Sequence, residues 1–505
     1  MADNKRIAKN TMILYFRMML VMLVSLYTSR VILRNLGVED YGLYNVVGGI
    51  VSMFTFLNGS LGAATSRYIT FELGKKDYSQ LNKIFNTALI IHVIIGLIII
   101  LLSETIGLWF FYNKMTIPVE RLDAAFWTYQ ISIFTCFISL TQVPYNATIN
   151  AHENMSVYAY ISIVETISKL IIVYFISIAP FDKLIFYALL LCLLQVSIMI
   201  FYRIYCIKTY KETHINLQLE KGLFKEMFSY GGADMIGNIS VLAQGQGLNL
   251  LLNMFFGPTV NAARAIAYQV QGAASQFSNN FFAAVSPQIV KLYAEGKTED
   301  MMKLMKNSSC FSFYLMWIIA LPIILETHYI LTLWLKEFPD HTIVFLHLIF
   351  ILCLIQTIKS PRTRVYHATG HIKLSNLTVG IVLCAAFPLA YLFLKLGYGP
   401  ESVFWAANLS MILSEFISVF VLKRYIKYSI KEYLFHVHFR CLVVAVISFI
   451  IPFILHDKYF DESFFRLIYT CILTTICSFI TIWFLGMDKS MRNTIIEFIK
   501  KKMYR

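Results

Sequence analysis

Leu89-Ile-Ile-His-Val-Ile-Ile-Gly-Leu-Ile-Ile-Ile-Leu-Leu102 decides the class of fold. Twelve of these fourteen residues are aliphatic. With its flanks the run is long enough to cross a hydrocarbon core of ~30 Å at ~1.5 Å per residue. Similar runs recur at 161–178, 184–202, 441–455 and 467–483, each lengthened by its flanks to about 20 residues or more and separated by short connectors. The composition agrees: 58% of the 505 residues are hydrophobic and 14% are charged, with a mean hydropathy of +0.65. A water-soluble chain carries about a quarter charged residues. No stretch is left for an independently folded soluble domain, so the chain reads as an all-α polytopic membrane protein.

The net charge of +14 suits a nucleic-acid ligand at first sight, but its placement points elsewhere. About thirty of the 43 lysines and arginines fall in alternate connectors and the two tails. They cluster at Lys5, Arg6 and Lys9, at Arg67, Lys75 and Lys76, and then within 203–225, 291–306, 359–373, 423–440 and 489–505. The intervening connectors hold one or two each. This is the positive-inside bias; it places both termini in the cytoplasm and requires an even number of spans. Nucleic acid is not an expected partner. The first apolar stretch, near Thr11, runs past Ser25 without a small-residue cleavage site and is read as a retained helix. The nine cysteines are scattered singly and read as small packing residues.

About fourteen helices are predicted, near 10–34, 40–66, 81–111, 121–147, 156–180, 183–207, 226–256, 258–285, 301–330, 341–366, 374–396, 400–425, 438–456 and 463–485. Four parts follow: an N-terminal lobe 1–207, a cytoplasmic linker 208–225, a C-terminal lobe 226–425, and two extra helices with a basic tail, 426–505. The two sides are weakly similar at an offset of about 220 residues. Gly37 corresponds to Gly257, each opening a helix after a sharp outer turn, and Ala63-Ala64-Thr65-Ser66 corresponds to Ala283-Ala284-Val285-Ser286. Pro144 with Asn150-Ala151 parallels Pro361 with His367-Ala368. Six helices separate the copies, so the repeat is parallel: two six-helix lobes related by an axis along the membrane normal, an arrangement suited to alternating access.

A charge inside a span costs roughly 2.5–3.5 kcal/mol on insertion scales, so each needs an account. The cations are Arg17, Arg30, Lys169 and Arg264; the acids are Glu104, Glu165, Asp234 and Glu415. Glu165 and Lys169 are four apart and can pair on one helix face. Arg17 and Arg30 lie about 220° apart around one helix and cannot share a face. Arg264 shares its helix with Asn261, Gln269, Gln271, Gln276, Asn279 and Asn280, which suits a wet cavity. The preceding helix carries Asp234, Asn238, Gln244, Gln246 and Asn249 among glycines 231, 232, 237, 245 and 247. Glycine interrupts a helix at about 1 kcal/mol each, so this helix is built to bend and to line a cavity. His92 is the one histidine deep in a clear apolar run; it reads as a core residue, with a proton relay as the alternative. There is no nucleophile elbow, phosphate loop or metal-spaced cluster, so neither catalytic residues, metal ligands nor a cofactor are expected.

The stretch Leu33-Arg-Asn-Leu-Gly37-Val-Glu-Asp-Tyr41-Gly42-Leu-Tyr44-Asn-Val-Val-Gly-Gly-Ile50 resembles the turn between the first two helices of Wzx-type polysaccharide flippases, the O-antigen and capsule exporters of the MATE-like superfamily. Length, span number and midpoint linker extend the resemblance over the chain. It implies a cargo of undecaprenyl-diphosphate-linked oligosaccharide, moved from the cytoplasmic to the periplasmic leaflet of the bacterial inner membrane. It also implies contact with membrane lipids, and with a glycan polymerase and other assembly proteins of the pathway. The family's cationic cavity maps onto Arg17, Arg30, Lys169 and Arg264, with Asn238, Gln244, Gln246, Asn249 and Gln269 as amide partners for sugar. Asp234, Glu165 and His92 are the candidates for ion coupling. The competing readings are a cation-coupled multidrug exporter, a peptidoglycan-precursor flippase, and a glycan polymerase, the last disfavoured by outer connectors of about ten residues or fewer.

Overall fold

A computed structural model describes residues 2–52, 62, 65–66, 68–73, 78–152, 154–216, 220–227, 240, 242–369, 372–456, 461–488, 492–493 and 496–497. Among them every regular element is helical. Ten segments are long and apolar enough to cross a membrane: Met19–Gly49, Ser79–Lys114, Val119–Ala151, Lys183–Thr209, Thr298–Leu325, Thr342–Thr369, Thr378–Lys395, Ser402–Leu422, Ile430–His456 and Phe464–Gly486. The chain is a multi-pass membrane protein. The spans expected near 40–66 and 226–256 run into residues outside the described set.

Helix α1 (Ala2–Ser52) is broken at Gly37, whose φ of 81° and ψ of 170° are non-helical. The turn expected between two helices is therefore reduced to one residue, at a backbone conformation that a side chain would strain. Helix α2 (Tyr78–Leu102) continues through a π-helical turn, Ser103–Gly107, into α3 (Leu108–Lys114). The turn leaves the Ser103 carbonyl to accept from the Tyr129 hydroxyl at 2.9 Å. Then come α4 (Leu122–Ala151), α5 (Met155–Ile176) and α6 (Lys183–Thr209). A second π-helical turn, Ala243–Gly247, leads into α7 (Leu248–Phe256), and Gly257 separates it from α8 (Pro258–Ala294). Gly257 has φ 79° and ψ −175°, nearly the angles of Gly37. Pro258 suits the first turn of a helix, where its missing N–H is no loss. Pro144 in α4 and Pro361 in a later helix also share a place inside their helices. At Gly37 and Gly257 the backbone takes the same turn, as their offset in sequence suggested.

By packing density the chain forms two compact units, residues 1–265 with 394–400, and 266–393 with 401–505. This division falls within α8 and not at the 208–225 linker.

In the first unit α4 packs on α6 and α2, and α1 packs on α5 and α4. Val46, Val47, Ile84, Ile91, Ile95, Phe111 and Tyr129 belong to one buried core there. Polar groups at one end tie three elements together. Arg121, just before α4, holds Asp40 of α1 through Nε and Nη2 at 2.7 and 2.6 Å. Its Nη1 reaches Asp182 at 2.6 Å, and Asp182 caps α6 by accepting from the backbone N–H groups of Leu184 and Ile185. Such forked guanidinium pairs fix orientation as well as charge.

The second unit contains α9 (Thr298–Leu325), α10 (Thr327–Leu335), α11 (Thr342–Thr369), α12 (Ile372–Cys384), most of α13 (Ala386–Lys395), α14 (Ser402–Leu422), α15 (Ile430–Tyr433), α16 (Arg440–His456) and α17 (Phe464–Thr481). Helix α9 packs on α11, α16 and α17, and α14 packs on α11 and α12. Two buried ion pairs join these helices. Arg362 of α11 is fully buried and donates from Nη1 to Glu415 of α14 at 2.7 Å and to the Tyr433 hydroxyl at 3.1 Å. Glu326, between α9 and α10, accepts from Arg466 Nη2 at 3.0 Å and from Thr470 of α17 at 2.7 Å. The second pair fastens α17 to the rest of its unit.

Candidate functional site

Two glycines of the motif at 41–50 let the second arm of α1 come close to α7 and α8. A Cβ on Gly42 would lie 1.9 Å from the Pro258 carbonyl oxygen, and one on Gly49 would lie 2.9 Å from Gln246 Oε1 and 3.0 Å from Asn249 Nδ2. At Gly42 the approach is to backbone and admits only glycine; at Gly49 the neighbours are the ends of two amide side chains. This packing brings Asn45, Gln246, Asn249, Asn261 and Arg264 into one polar cluster, all in the first unit.

The hydrogen bonds run through the carboxamides. Asn261 Nδ2 donates to the carbonyl oxygen of Asn249 at 2.7 Å and to its Oδ1 at 2.8 Å. Asn249 Nδ2 donates to Gln246 Oε1 and to the Asn45 carbonyl, each at 3.4 Å. Arg264 Nη2 donates to the Gly245 carbonyl at 2.7 Å. Gly245 lies in the π-helical turn, where the widened ladder frees backbone carbonyls for other donors. Asn249 and Asn261 are 2% and 0% exposed, while Gln246 and Arg264 are half-buried. The Asn261 Oδ1 is buried without a hydrogen-bond partner among the described residues. A second amide link fixes the register of α7: Asn253 accepts from the Thr116 N–H at 3.0 Å and donates to its carbonyl at 3.3 Å. The result is a braced guanidinium at the edge of a carboxamide cluster, able to meet charge and hydroxyl groups together.

Among the expected site residues, Gln246, Asn249 and Arg264 come together here, and Gln244 lies half-buried on the same π-helical turn. Asp234 and Asn238 lie outside the described residues, as does the side chain of Arg17. Gln269 lies on the part of α8 that belongs to the second unit. Arg30 is half-buried on α1. Lys169 and Glu165 form their helical pair at 2.6 Å, and both are partly exposed. His92 is 1% exposed; its Nδ1 donates to the Ala88 carbonyl at 2.7 Å, and its Nε2 is buried without a partner among the described residues.

Three charges went unread in the sequence. Lys359 and Arg362 counted there as part of a basic connector, yet both sit inside α11, and Arg362 neutralises Glu415. The two are 53 residues apart, so no helical spacing could reveal them. Arg203 also counted as connector; it lies near the end of α6, donates to Thr141 Oγ1 at 3.2 Å and sits over the Tyr145 ring at 5.7 Å.

Residues 7–293 match the profile of a family described as polysaccharide biosynthesis protein. Among solved structures, the chain is similar to the lipid II flippase MurJ in an inward closed conformation: TM-score 0.68 at 15% identity, covering 94% of this chain and 98% of that one. An inward-facing multidrug resistance MATE transporter of the MOP superfamily gives a TM-score of 0.63 at 15% identity, over 80% of this chain and 94% of that one. A MOP superfamily transporter from Pyrococcus furiosus, described as having a binding pocket of reversed polarity, gives 0.59 at 16% identity, over 82% and 95%. At such identities the likeness is one of fold. No curated protein sequence matches the chain.

Proposed function

Because the chain belongs to the polysaccharide biosynthesis protein family, we propose that it carries an undecaprenyl-diphosphate-linked oligosaccharide across the bacterial inner membrane. The cargo moves from the cytoplasmic to the periplasmic leaflet by alternating access, for O-antigen or capsule synthesis, and both termini stay in the cytoplasm. The observation that supports this best is the convergence of Arg264 with Gln246, Asn249 and Asn261 beside Gly49.

A diphosphate taken out of water loses hydration that only charge and directed donors can replace. A guanidinium supplies both, with a fork that matches phosphate oxygens. Carboxamides donate and accept, which suits sugar hydroxyls. The inside-negative potential drives an anion outward by about 2.3 kcal/mol per charge per 100 mV. Arg17, Arg30 and Lys169 are further cargo contacts in this proposal, and Asp234, Glu165 and His92 its ion couplers.

The lipid II flippase of the same fold gives the peptidoglycan-precursor alternative its support, while the family match favours a polysaccharide cargo. A strain lacking its polysaccharide flippase separates the two. Full-length protein should restore surface polysaccharide; Arg264→Ala should insert normally yet restore none, and Arg264→Lys should restore part. Normal surface glycan with Arg264→Ala would sink the assignment. Rescue of a strain lacking its peptidoglycan-precursor flippase, without rescue of surface glycan, would select the alternative.

A further inference from the structure

The second arm of α1 has two polar sides within the first unit. Gly49 faces the amide cluster, whereas Tyr44 and Gly48 border a separate, open-sided cleft of about 230 Å³ that they share with α4 and α6. Its polar lining is Tyr44, Ser132, Thr135, Ser139 and Gln195, and no charged side chain takes part. The α4 residues belong to a longer run: Thr128, Ser132, Thr135, Ser139, Gln142 and Asn146 are spaced four and three apart in alternation. That spacing keeps one face of a helix. Small polar residues often serve helix packing in membranes, but packing closes space, and here space remains.

The face is rich in acceptors. Ser132 Oγ donates to the Thr128 carbonyl at 2.7 Å, and Thr135 Oγ1 to the Ile131 carbonyl at 2.8 Å. Both hydroxyl protons are used inside the helix, so the groups offer lone pairs to the cavity. Gln195 Nε2 donates to Gln142 Oε1 at 3.0 Å, which leaves the Gln195 carbonyl oxygen as an acceptor. Further along the same run, Thr128 Oγ1 and Asn146 Oδ1 are buried without a hydrogen-bond partner among the described residues. An anion gains nothing from lone pairs with no cation beside them. A group bearing several O–H donors gains a great deal. Tyr44 adds an aromatic wall, held by the Tyr187 ring at a centroid distance of 4.9 Å, against which the C–H face of a ring can pack. The volume lies below the ~300–1,000 Å³ of drug-sized sites and matches one small ring.

We infer that this cavity is a monosaccharide subsite, taking one uncharged sugar ring of the cargo apart from its diphosphate. The inference rests on the flippase reading. Purified full-length protein in lipid nanodiscs would be titrated with undecaprenyl diphosphate, bare or bearing a single glucose, galactose or N-acetylglucosamine. At least one sugar-bearing lipid should bind about tenfold tighter than the bare one, the scale of one or two hydrogen bonds. Gln195→Leu and Ser139→Ala should each bring that ratio towards one while the affinity for bare lipid stays the same, and Ser139→Leu should do so by filling the space. A wild-type ratio of one overturns the subsite. So does a ratio unchanged in all three variants, or equal loss of both lipids in variants that keep the wild-type melting temperature. Wild-type protein that binds neither lipid overturns the flippase reading instead.

Discussion

Arg362 marks the difference between a charge that stabilises and one that works on cargo. It is fully buried, and its guanidinium is consumed by Glu415, Ser418 and Tyr433. Removing one partner of such a pair leaves a buried charge uncompensated, at about 3–5 kcal/mol. Arg362→Ala should therefore lower the melting temperature sharply, and Arg362→Met combined with Glu415→Leu should recover most of the loss; a thermal-shift series on purified protein checks both. Asp182, at the start of α6, is a second stabilising charge. Burial pushes its carboxyl up, but Arg121 and the N–H groups of Ile185 and Leu184 outweigh that and hold it below the ordinary carboxylate range. A depressed value stabilises fully above the unfolded value of about 3.9 and is lost as pH falls through the folded one. Melting temperature should thus fall on acidification below about pH 4, and more steeply in wild type than in Asp182→Asn. At this scale the sequence was only partly readable. The Glu165–Lys169 pair declared itself by spacing, whereas Arg362–Glu415 and Arg121–Asp40 join residues 53 and 81 apart, and only the folded chain brings them together.

At the scale of elements, three glycines make separable predictions. Gly42 has no room: its Cβ would strike the Pro258 backbone, and Gly42→Ala should cost on the order of 1–3 kcal/mol as α1 and α8 are forced apart. Gly37 has room but lies at φ 81°, so Gly37→Ala should cost about 1–2 kcal/mol through backbone strain alone. Gly272 lies within α8 with open space and ordinary angles; Gly272→Ala should be neutral or stabilise by up to about 1 kcal/mol. Melting temperatures of the three variants should keep that order. The motif around Tyr41 and Gly42 was legible as a turn. That its glycines also admit α7 and α8 was not, because the partner helices lie about 200 residues away. The glycine-rich run at 243–247 promised a bend; the structure gives a π-helical turn, which frees the Gly245 carbonyl for Arg264.

For the molecule as a whole, apolar run length announced a multi-pass helical protein, and the offset between Gly37 and Gly257 pairs two glycines with nearly the same backbone angles. The amide cluster was half legible: composition nominated Gln246, Asn249 and Arg264, while Asn45 gave no signal of its own. The central claim is that the chain moves a lipid-linked oligosaccharide between leaflets with Arg264 in its path. Reconstitution of full-length protein into liposomes tests it most directly. Undecaprenyl-diphosphate oligosaccharide would be supplied to one leaflet, and its exposure on the other followed with a membrane-impermeant glycosidase. Wild-type protein should raise the cleavable fraction steadily over time, and Arg264→Ala should fall to the level of protein-free liposomes. Wild-type exposure no faster than in protein-free liposomes, or equal rates for wild type and Arg264→Ala, would contradict the claim.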